Sequence, residues 1–194
     1  MKFTTAAIAL LSAALTLAAP TSLEERQEPA YVGFAVPSVL KVHDIPTNLN
    51  TASTKTSTLR SGNQETSTLY DIPIPRAAAG RTCRVVLRSG AAGDFVLGTR
   101  TVDLFSNTFT NLAKLTSGNL RNQHLARLVY TPSSGLYAYD ENTVPDSPAK
   151  SFPCPAGTTL HCETVAVGGY SVNVIAQASA AGTTAPNGIS VGWY

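Results

Sequence analysis

Charged side chains are scarce in this chain of 194 residues. Asp, Glu, Lys and Arg make up only 13% of it, and the formal net charge at pH 7 is +2. A protein that holds nucleic acid or an anionic membrane by electrostatic attraction needs a strong basic field on its surface. The composition therefore argues against nucleic acid and an anionic membrane as partners.

The sequence also offers little for catalysis, cofactors or metals. We assign no serine or cysteine as a catalytic nucleophile, because we identify neither a nucleophile elbow nor an activated Cys–His pair. Cys154 and Cys162 have seven residues between them and there is no second cysteine pair, which is poor spacing for zinc. We expect no cofactor and no metal, while a catalytic site dispersed along the chain stays open.

Carboxylates are available for glycoside hydrolysis, but that chemistry needs an extended groove lined with aromatic rings. The chain has one Trp and scattered Tyr residues. An enzyme is therefore less expected than a non-enzyme. The carboxylates considered are Asp71, Asp94, Asp103, Asp140, Glu141 and Glu163.

Aliphatic, Thr, Ser and Gly residues dominate instead, and 43% of the chain is hydrophobic, enough for one core. Strand-like runs recur about every ten residues, the spacing typical of sandwiches and barrels. We predict one all-β domain over residues 37–194, an antiparallel β-sandwich of about seven to nine strands. Leu120, His124, Leu125 and Leu128 have helix-like spacing, so residues 119–129 are either a short helix or an irregular loop and strand.

The Gly168-Gly169 pair separates the runs ETVAV and YSVNVIA. Two glycines adopt the positive φ values of a tight two-residue turn without steric cost, so we predict a β-hairpin here. Strand alternation then places Cys162 on one face, and His161 and Glu163 on the other. The Ser/Thr-rich residues 47–68 are predicted as exposed strands with a turn at residues 61–63 rather than a glycosylated stalk.

The first 18 residues have the pattern of a secretory signal peptide: one Lys, a short apolar run and small residues before Ala19-Pro20. The apolar run is too short and interrupted for a transmembrane anchor. Residues 19–36 are interpreted as a linker or short pro-segment, with a weak processing site at Arg26. We therefore expect a secreted, extracellular protein without a membrane anchor.

Four segments occur in order along the chain: VPSVLKV, LYDIPIP followed by GRTCRVVL, the pair FVLG and VDLF, and FPCPAGTTLHCE leading to GISVGW. This series resembles the C-terminal domain of the fungal But-two proteins, a family named for binding an activating enzyme of a ubiquitin-like modifier. The similarity covers residues 37–194. It implies an all-β domain of secreted fungal proteins, usually of unassigned function, and supplies no catalytic residues.

Three cysteines allow three single disulfides in an oxidising compartment. The resemblance implies the pair Cys83–Cys154, since both residues match the family's paired positions. Cys83 also shares a face with core residues, and Cys154 stands at the entrance to a strand. Cys162 is then a free thiol, expected to be buried as a small apolar side chain. The competing pair, Cys154 with Cys162, would need the chain to turn at residues 155–157.

Two sets of side chains are candidates for binding. His161 and Glu163 project to the same side of a strand and would share a metal only with a third ligand; the simpler interpretation is a solvent-facing pair. Tyr137 and Tyr139 share a strand face and are the best aromatic candidates for carbohydrate contact, against the simpler interpretation of half-buried strand tyrosines.

The leading hypothesis is a non-enzymatic binding or structural module at the fungal cell wall or in the surrounding medium. Its partners would be cell-wall polysaccharide or another extracellular protein, and we expect a monomer. A secreted hydrolase would instead require a cleft with two carboxylates or a Ser/His pair. An effector that binds a host protein would require a sizeable exposed apolar patch.

We predict cleavage after Ala18, because small residues there follow the apolar run. N-terminal sequencing of protein from culture medium should read Ala19-Pro20, with later trimming at Arg26 as a second product. Secreted material that begins at Met1 would contradict the assignment.

Overall fold

A computed structural model describes residues 28–194. The predicted signal peptide, residues 1–18, and the first half of the predicted linker lie outside the described residues. The expectations for these segments are therefore carried by the sequence alone.

Antiparallel β-strands build the described part of the chain, and every strand pairing in it is antiparallel. Two 3₁₀ turns, Arg76–Ala78 and Leu112–Lys114, are its helical elements. The predicted all-β class is confirmed. The strands are β1 (Gly33–Ala35), β2 (Val39–Asp44), β3 (Leu49–Asn50), β4 (Thr56–Ser61), β5 (Thr66–Pro73), β6 (Thr82–Arg88), β7 (Phe95–Gly98), β8 (Thr101–Asn107), β9 (Arg121–Thr131), β10 (Leu136–Tyr139), β11 (Phe152–Pro153), β12 (Thr159–Ala166), β13 (Ser171–Ala176) and β14 (Gly188–Trp193).

The strands form one continuous sheet rather than two separate ones. Its order is β1-β14-β6-β10-β9-β8-β12-β5-β4-β13-β7, with β2, β3 and β11 paired beside this path. The Tyr137 hydroxyl on β10 donates to Asn173 Oδ1 on β13 at 2.9 Å, although five strands lie between them in this order. The sheet is therefore curled into a half-barrel whose two halves face each other across the core.

Strand alternation explains the core. Alternate residues of each strand point inward, and the inward positions carry aliphatic side chains that are almost completely buried. Ile72 of β5, Leu87 of β6, Leu104 of β8 and Ile189 of β14 belong to one cluster. Both halves of the curled sheet thus share a single hydrophobic core.

The alternative of a short helix at residues 119–129 is wrong, because the chain forms strand β9 from Arg121 onward. Strand β9 pairs with β8 on one edge and with β10 on the other. Its register with β8 shifts on both sides of Phe105, and these bulges break the strict period of two. The broken period produced the helix-like spacing in the sequence.

The predicted hairpin at Gly168-Gly169 is also wrong, although both of its strands exist. Strand β12 pairs with β5 and β8, whereas β13 pairs with β4 and β7. Because both edges of β12 are occupied, the chain must leave β12 and cross to another part of the sheet. Gly168 makes this crossing at φ 102°, and a Cβ there would overlap the Thr99 side chain.

The sheet begins before the expected domain start at residue 37. Strand β1 lies in the predicted linker and pairs with β14, with Gly33 opposite Trp193. It escaped the sequence analysis because a three-residue strand is too short for an alternation pattern. Several other short strands raise the number above the predicted seven to nine. The turn between β4 and β5 follows Ser61 as predicted, but the expectation of exposed strands on either side of it is wrong, because Leu59 and Thr68 are completely buried.

The disulfide Cys83–Cys154 is confirmed, with the Cα atoms 4.9 Å apart. Phe152 of β11 lies opposite Cys83 in the sheet, which brings Cys154 alongside β6. The Cys154 amide also donates to the Arg81 carbonyl at 3.0 Å. The bond therefore fastens the segment after β11 to β6, near the middle of one half of the sheet.

The double variant Cys83→Ala/Cys154→Ala should lose about 4 kcal/mol of the free energy of unfolding, because the disulfide closes a long loop in the unfolded chain. The two residues are 71 positions apart in sequence. Urea denaturation followed by circular dichroism measures the loss. Dithiothreitol should lower the midpoint of the wild type and leave that of the double variant unchanged. Equal stability of the two proteins would contradict the stabilising role.

Candidate functional site

Tyr137 and Tyr139 are placed where they serve the core rather than a ligand. Tyr137 is 5% exposed, and its hydroxyl is bonded to Asn173. The Tyr139 hydroxyl lies 2.6 Å from the Val85 carbonyl oxygen and 2.8 Å from the Ala149 carbonyl oxygen, and its single proton is donated between these two acceptors. Neither residue offers an open ring face for a sugar, so carbohydrate contact at these positions does not fit the structure.

His161 and Glu163 do project to the same side of β12, but each has a different partner. His161 Nδ1 lies 2.6 Å from Asp71 Oδ1, and Glu163 is bound to Arg121. Within residues 28–194, no three metal-binding side chains converge. The solvent-facing interpretation is wrong as well, because Glu163 is 0% exposed.

Glu163 is the centre of a hydrogen-bonded cluster on this outer face. The Arg121 guanidinium donates to both carboxylate oxygens, from Nε at 2.9 Å and from a terminal nitrogen at 2.8 Å. Side-chain amides of Asn119 and Asn107 donate to the same carboxylate at 3.1 and 3.4 Å. Two-pronged pairing of this kind is among the strongest that a buried carboxylate can make.

A covering segment, residues 108–120, closes over the outer face of β2, β5 and β12. Asp71 of β5 accepts the Leu112 amide of this segment at 3.2 Å, while the ring of Phe109 packs edge-on against that of His161. Lys41 of β2 donates from Nζ to the carbonyls of residues 113 and 115, each at 3.0 Å. The backbone of the covering segment is therefore fixed by side chains of the strands beneath it.

Apolar packing holds the covering segment as well. Phe109 and Leu112 form a second hydrophobic cluster with Leu69 of β5, and Val39 and Leu115 pack at its margin. Contacts of this kind on the outer face mean that β5 and β12 are buried on both sides. The Glu163 carboxylate is therefore sealed from solvent, whereas the Arg121 side chain that pairs with it stays partly exposed.

Electrostatics keep Glu163 ionised in spite of its burial. Burial acts to raise the pKa of Glu163, but hydrogen bonds from Arg121 and Asn119 and the charge of Arg121 outweigh it, so the pKa is lowered overall. Hydrogen bonding to Glu163 raises the pKa of Arg121 in turn. Each side chain therefore stabilises the charged form of the other.

This arrangement of acids and bases serves structure better than catalysis. Asp71 and His161 form a pair, but no serine or cysteine side chain in the described residues hydrogen-bonds to that histidine. Cys162 is free and buried on the opposite face of β12. Burial, together with the negative charges of Asp71 and Glu163, raises the pKa of the Cys162 thiol far above its ordinary value. A protonated thiol is a poor nucleophile.

The letters of a nucleophile elbow do occur at residues 188–192, GISVG, which the sequence analysis missed. The structure excludes the role, because Ser190 lies inside the regular strand β14 rather than at a strand-to-helix turn. It is completely buried, and its hydroxyl has no hydrogen-bond partner among the described residues. The place of Ser190 inside a paired strand, rather than the sequence motif around it, therefore determines its role.

An apolar patch is exposed to solvent at one end of the sheet. Val172 and Val174 of β13 lie opposite Leu97 and Phe95 of β7, and residues directly opposite each other project to the same side. Phe95 is 48% exposed and Leu97 40%. We call these four residues the β7–β13 face. The run FVLG predicted a strand, but its outward-facing apolar side chains were not foreseen.

Strand β7 is also an open edge. It stands last in the sheet order, and in the described part of the chain it pairs only with β13. No charged residue or proline lies within it. Such features normally protect an edge strand from pairing with another chain.

Comparison with models of known families, with curated proteins and with solved structures finds no significant match to the chain. Between residues 28 and 194, no helix is long and apolar enough to span a membrane.

Arg121→Ala should cost about 3 kcal/mol of the free energy of unfolding at pH 7, because it leaves the buried Glu163 charge without its main partner. Arg81→Ala is the matched control: Arg81 is exposed, and its removal should cost less than about 0.5 kcal/mol. Urea denaturation at fixed pH measures both.

The loss of stability caused by Arg121→Ala should also depend on pH. The folded-state pKa of Glu163 lies below its unfolded value, so the pair stabilises fully above the unfolded pKa of about 4.3 and is lost as the pH falls through the folded pKa. The stability gap between wild type and Arg121→Ala should therefore narrow below about pH 4. A gap that widens on acidification would contradict the ion pair.

Proposed function

We propose that this protein is a secreted, non-enzymatic binding module, and that it belongs with the fungal But-two C-terminal domains that its motifs resemble. The leader pattern of residues 1–18 and the Cys83–Cys154 disulfide support an extracellular location, since disulfides persist in oxidising compartments. The engagement of His161, Asp71 and Glu163 in structural pairs supports a non-enzymatic role.

One observation carries the binding role: the β7–β13 face is apolar, exposed and adjacent to an open strand edge. Large apolar side chains exposed together on one surface mark interaction sites in water-soluble proteins. Here the apolar side chains and the unpaired edge lie on the same short strand. A partner that pairs with β7 would satisfy its backbone and cover Phe95 and Leu97 at once.

The partner that fits this surface is another extracellular protein that presents an extended, largely apolar segment. Strand addition gains affinity from main-chain hydrogen bonds and specificity from alternate side chains. The low overall charge of the protein gives no basis for an electrostatic partner. Cell-wall polysaccharide is less favoured, because Tyr137 and Tyr139 are engaged in the core.

A photocrosslinking experiment tests the surface directly. Phe95 is replaced by p-benzoylphenylalanine in the secreted protein, and Leu49, which is 57% exposed, receives the same group as a control. The group at position 95 should capture a defined extracellular protein that position 49 does not. Equal products at both positions would show that the β7–β13 face is not the binding surface.

The captured protein is then purified for an affinity measurement. We expect the double variant Phe95→Ser/Leu97→Ser to bind it about tenfold more weakly or worse, while Leu49→Ser binds like the wild type. Retention on insoluble chitin and β-glucan is measured in parallel. Retention that survives the double variant, with no crosslinked protein, would favour a polysaccharide partner and overturn the proposal.

A further inference from the structure

A cavity of about 200 Å³ lies between the two halves of the curled sheet and is partly open to solvent. Side chains of four strands line it: Leu104 of β8, Leu125 of β9, Leu160 of β12 and Val191 of β14. Phe152, together with Ala149, contributes from the segment that leads to the disulfide. Its walls are almost entirely apolar, and they come from the strands of the core and from the loop that precedes β11.

Three polar residues line this cavity, Ser106, His161 and Cys162. His161 Nδ1 is already engaged with Asp71 Oδ1 at 2.6 Å. The Ser106 hydroxyl oxygen accepts a hydrogen bond from the backbone amide of Gln123 at 3.1 Å. The hydroxyl proton itself has no acceptor among the described residues. A hydroxyl oxygen accepts and donates independently, so one donor stays available. The Cys162 thiol is a weak donor and behaves as a small apolar group.

The size of the cavity exceeds what ordinary packing leaves empty. Protein interiors contain few voids larger than a water molecule, and an apolar void destabilises the fold in proportion to its volume. An apolar cavity of about 150 Å³ in another protein stays dry and takes up benzene. The small side chain of Ala149, which is buried, leaves space here that a larger aliphatic residue would fill.

We propose that this cavity binds a compact, uncharged molecule with a hydrocarbon body and one oxygen acceptor, of the chemical class of a medium-chain ketone or ester. The apolar walls take the hydrocarbon part, and the free proton of the Ser106 hydroxyl is donated to the oxygen. Among the described residues, no lysine or arginine lines the cavity, and His161 is already paired with Asp71, so an ionised fatty acid would find no free cationic partner. The site is separate from the β7–β13 face, so the two proposals stand or fall independently.

Two-dimensional ¹H–¹⁵N NMR of the mature protein tests the site with 2-octanone as the probe. Saturable shift changes should centre on the amides of Ser106, Cys162 and Ala149. Octane, which has the same chain length without the oxygen, should bind more weakly. Changes without saturation, or changes centred on Phe95 and Leu97 instead, would overturn the proposal.

Two variants sharpen the test. Ala149→Leu fills the cavity and should weaken 2-octanone binding about tenfold or more. Ser106→Ala should weaken binding of 2-octanone about fivefold, the size of one neutral hydrogen bond, and leave that of octane unchanged. Unchanged ketone affinity in Ser106→Ala would overturn the role of the hydroxyl. Should Ala149→Leu fail to fold, the location of the wild-type shift changes still decides the question.

Discussion

Burial of strand β12 on both faces is the constraint on which the rest of this structure depends. Strands β5 and β8 occupy its two edges, Cys162 faces the core, and Glu163 faces outward into a closed polar cluster. A carboxylate sealed inside a protein is tolerated only when it is paired and hydrogen-bonded. Arg121 and, from the covering segment, Asn119 provide these partners. Lys41, Asp71 and Leu69 hold the rest of residues 108–120 in place.

One proposed site lies against the core side of β12, and the other lies far from it. The disulfide fastens the segment after β11 to one half of the sheet, while β11 and the loop before it supply Phe152 and Ala149 to the cavity wall. The β7–β13 face lies at the far end of the sheet, where strand pairing stops. The two sites that we propose therefore differ in chemistry: an interior space for a small apolar molecule, and a strand edge for a protein segment.

The sequence was informative where one residue period or one composition controls the outcome. Alternation around Cys162 correctly separated the core side of β12 from the side of His161 and Glu163. Alternation could not predict that the His161 and Glu163 side of β12 is covered, because Phe109 and Leu112 come from a distant irregular segment with no periodic pattern. The strand pairings could not be predicted either. The runs on both sides of Gly168 predict two strands, but these strands do not pair with each other because β5 and β8 already occupy both edges of β12. Exposure of Phe95 and Leu97 likewise depends on where β7 falls in the sheet order.

Native-state hydrogen exchange of individual backbone amides tests the account most directly. If β12 is the doubly buried centre, the amides of Cys162, Glu163 and Thr164 should exchange only through global unfolding, and their opening free energy should equal that measured with denaturant. Amides of β7 that are paired with β13 should exchange through local opening at lower free energy. Protection of β7 equal to that of β12, or local opening of β12 well below the global value, would contradict a rigid centre with accessible edges.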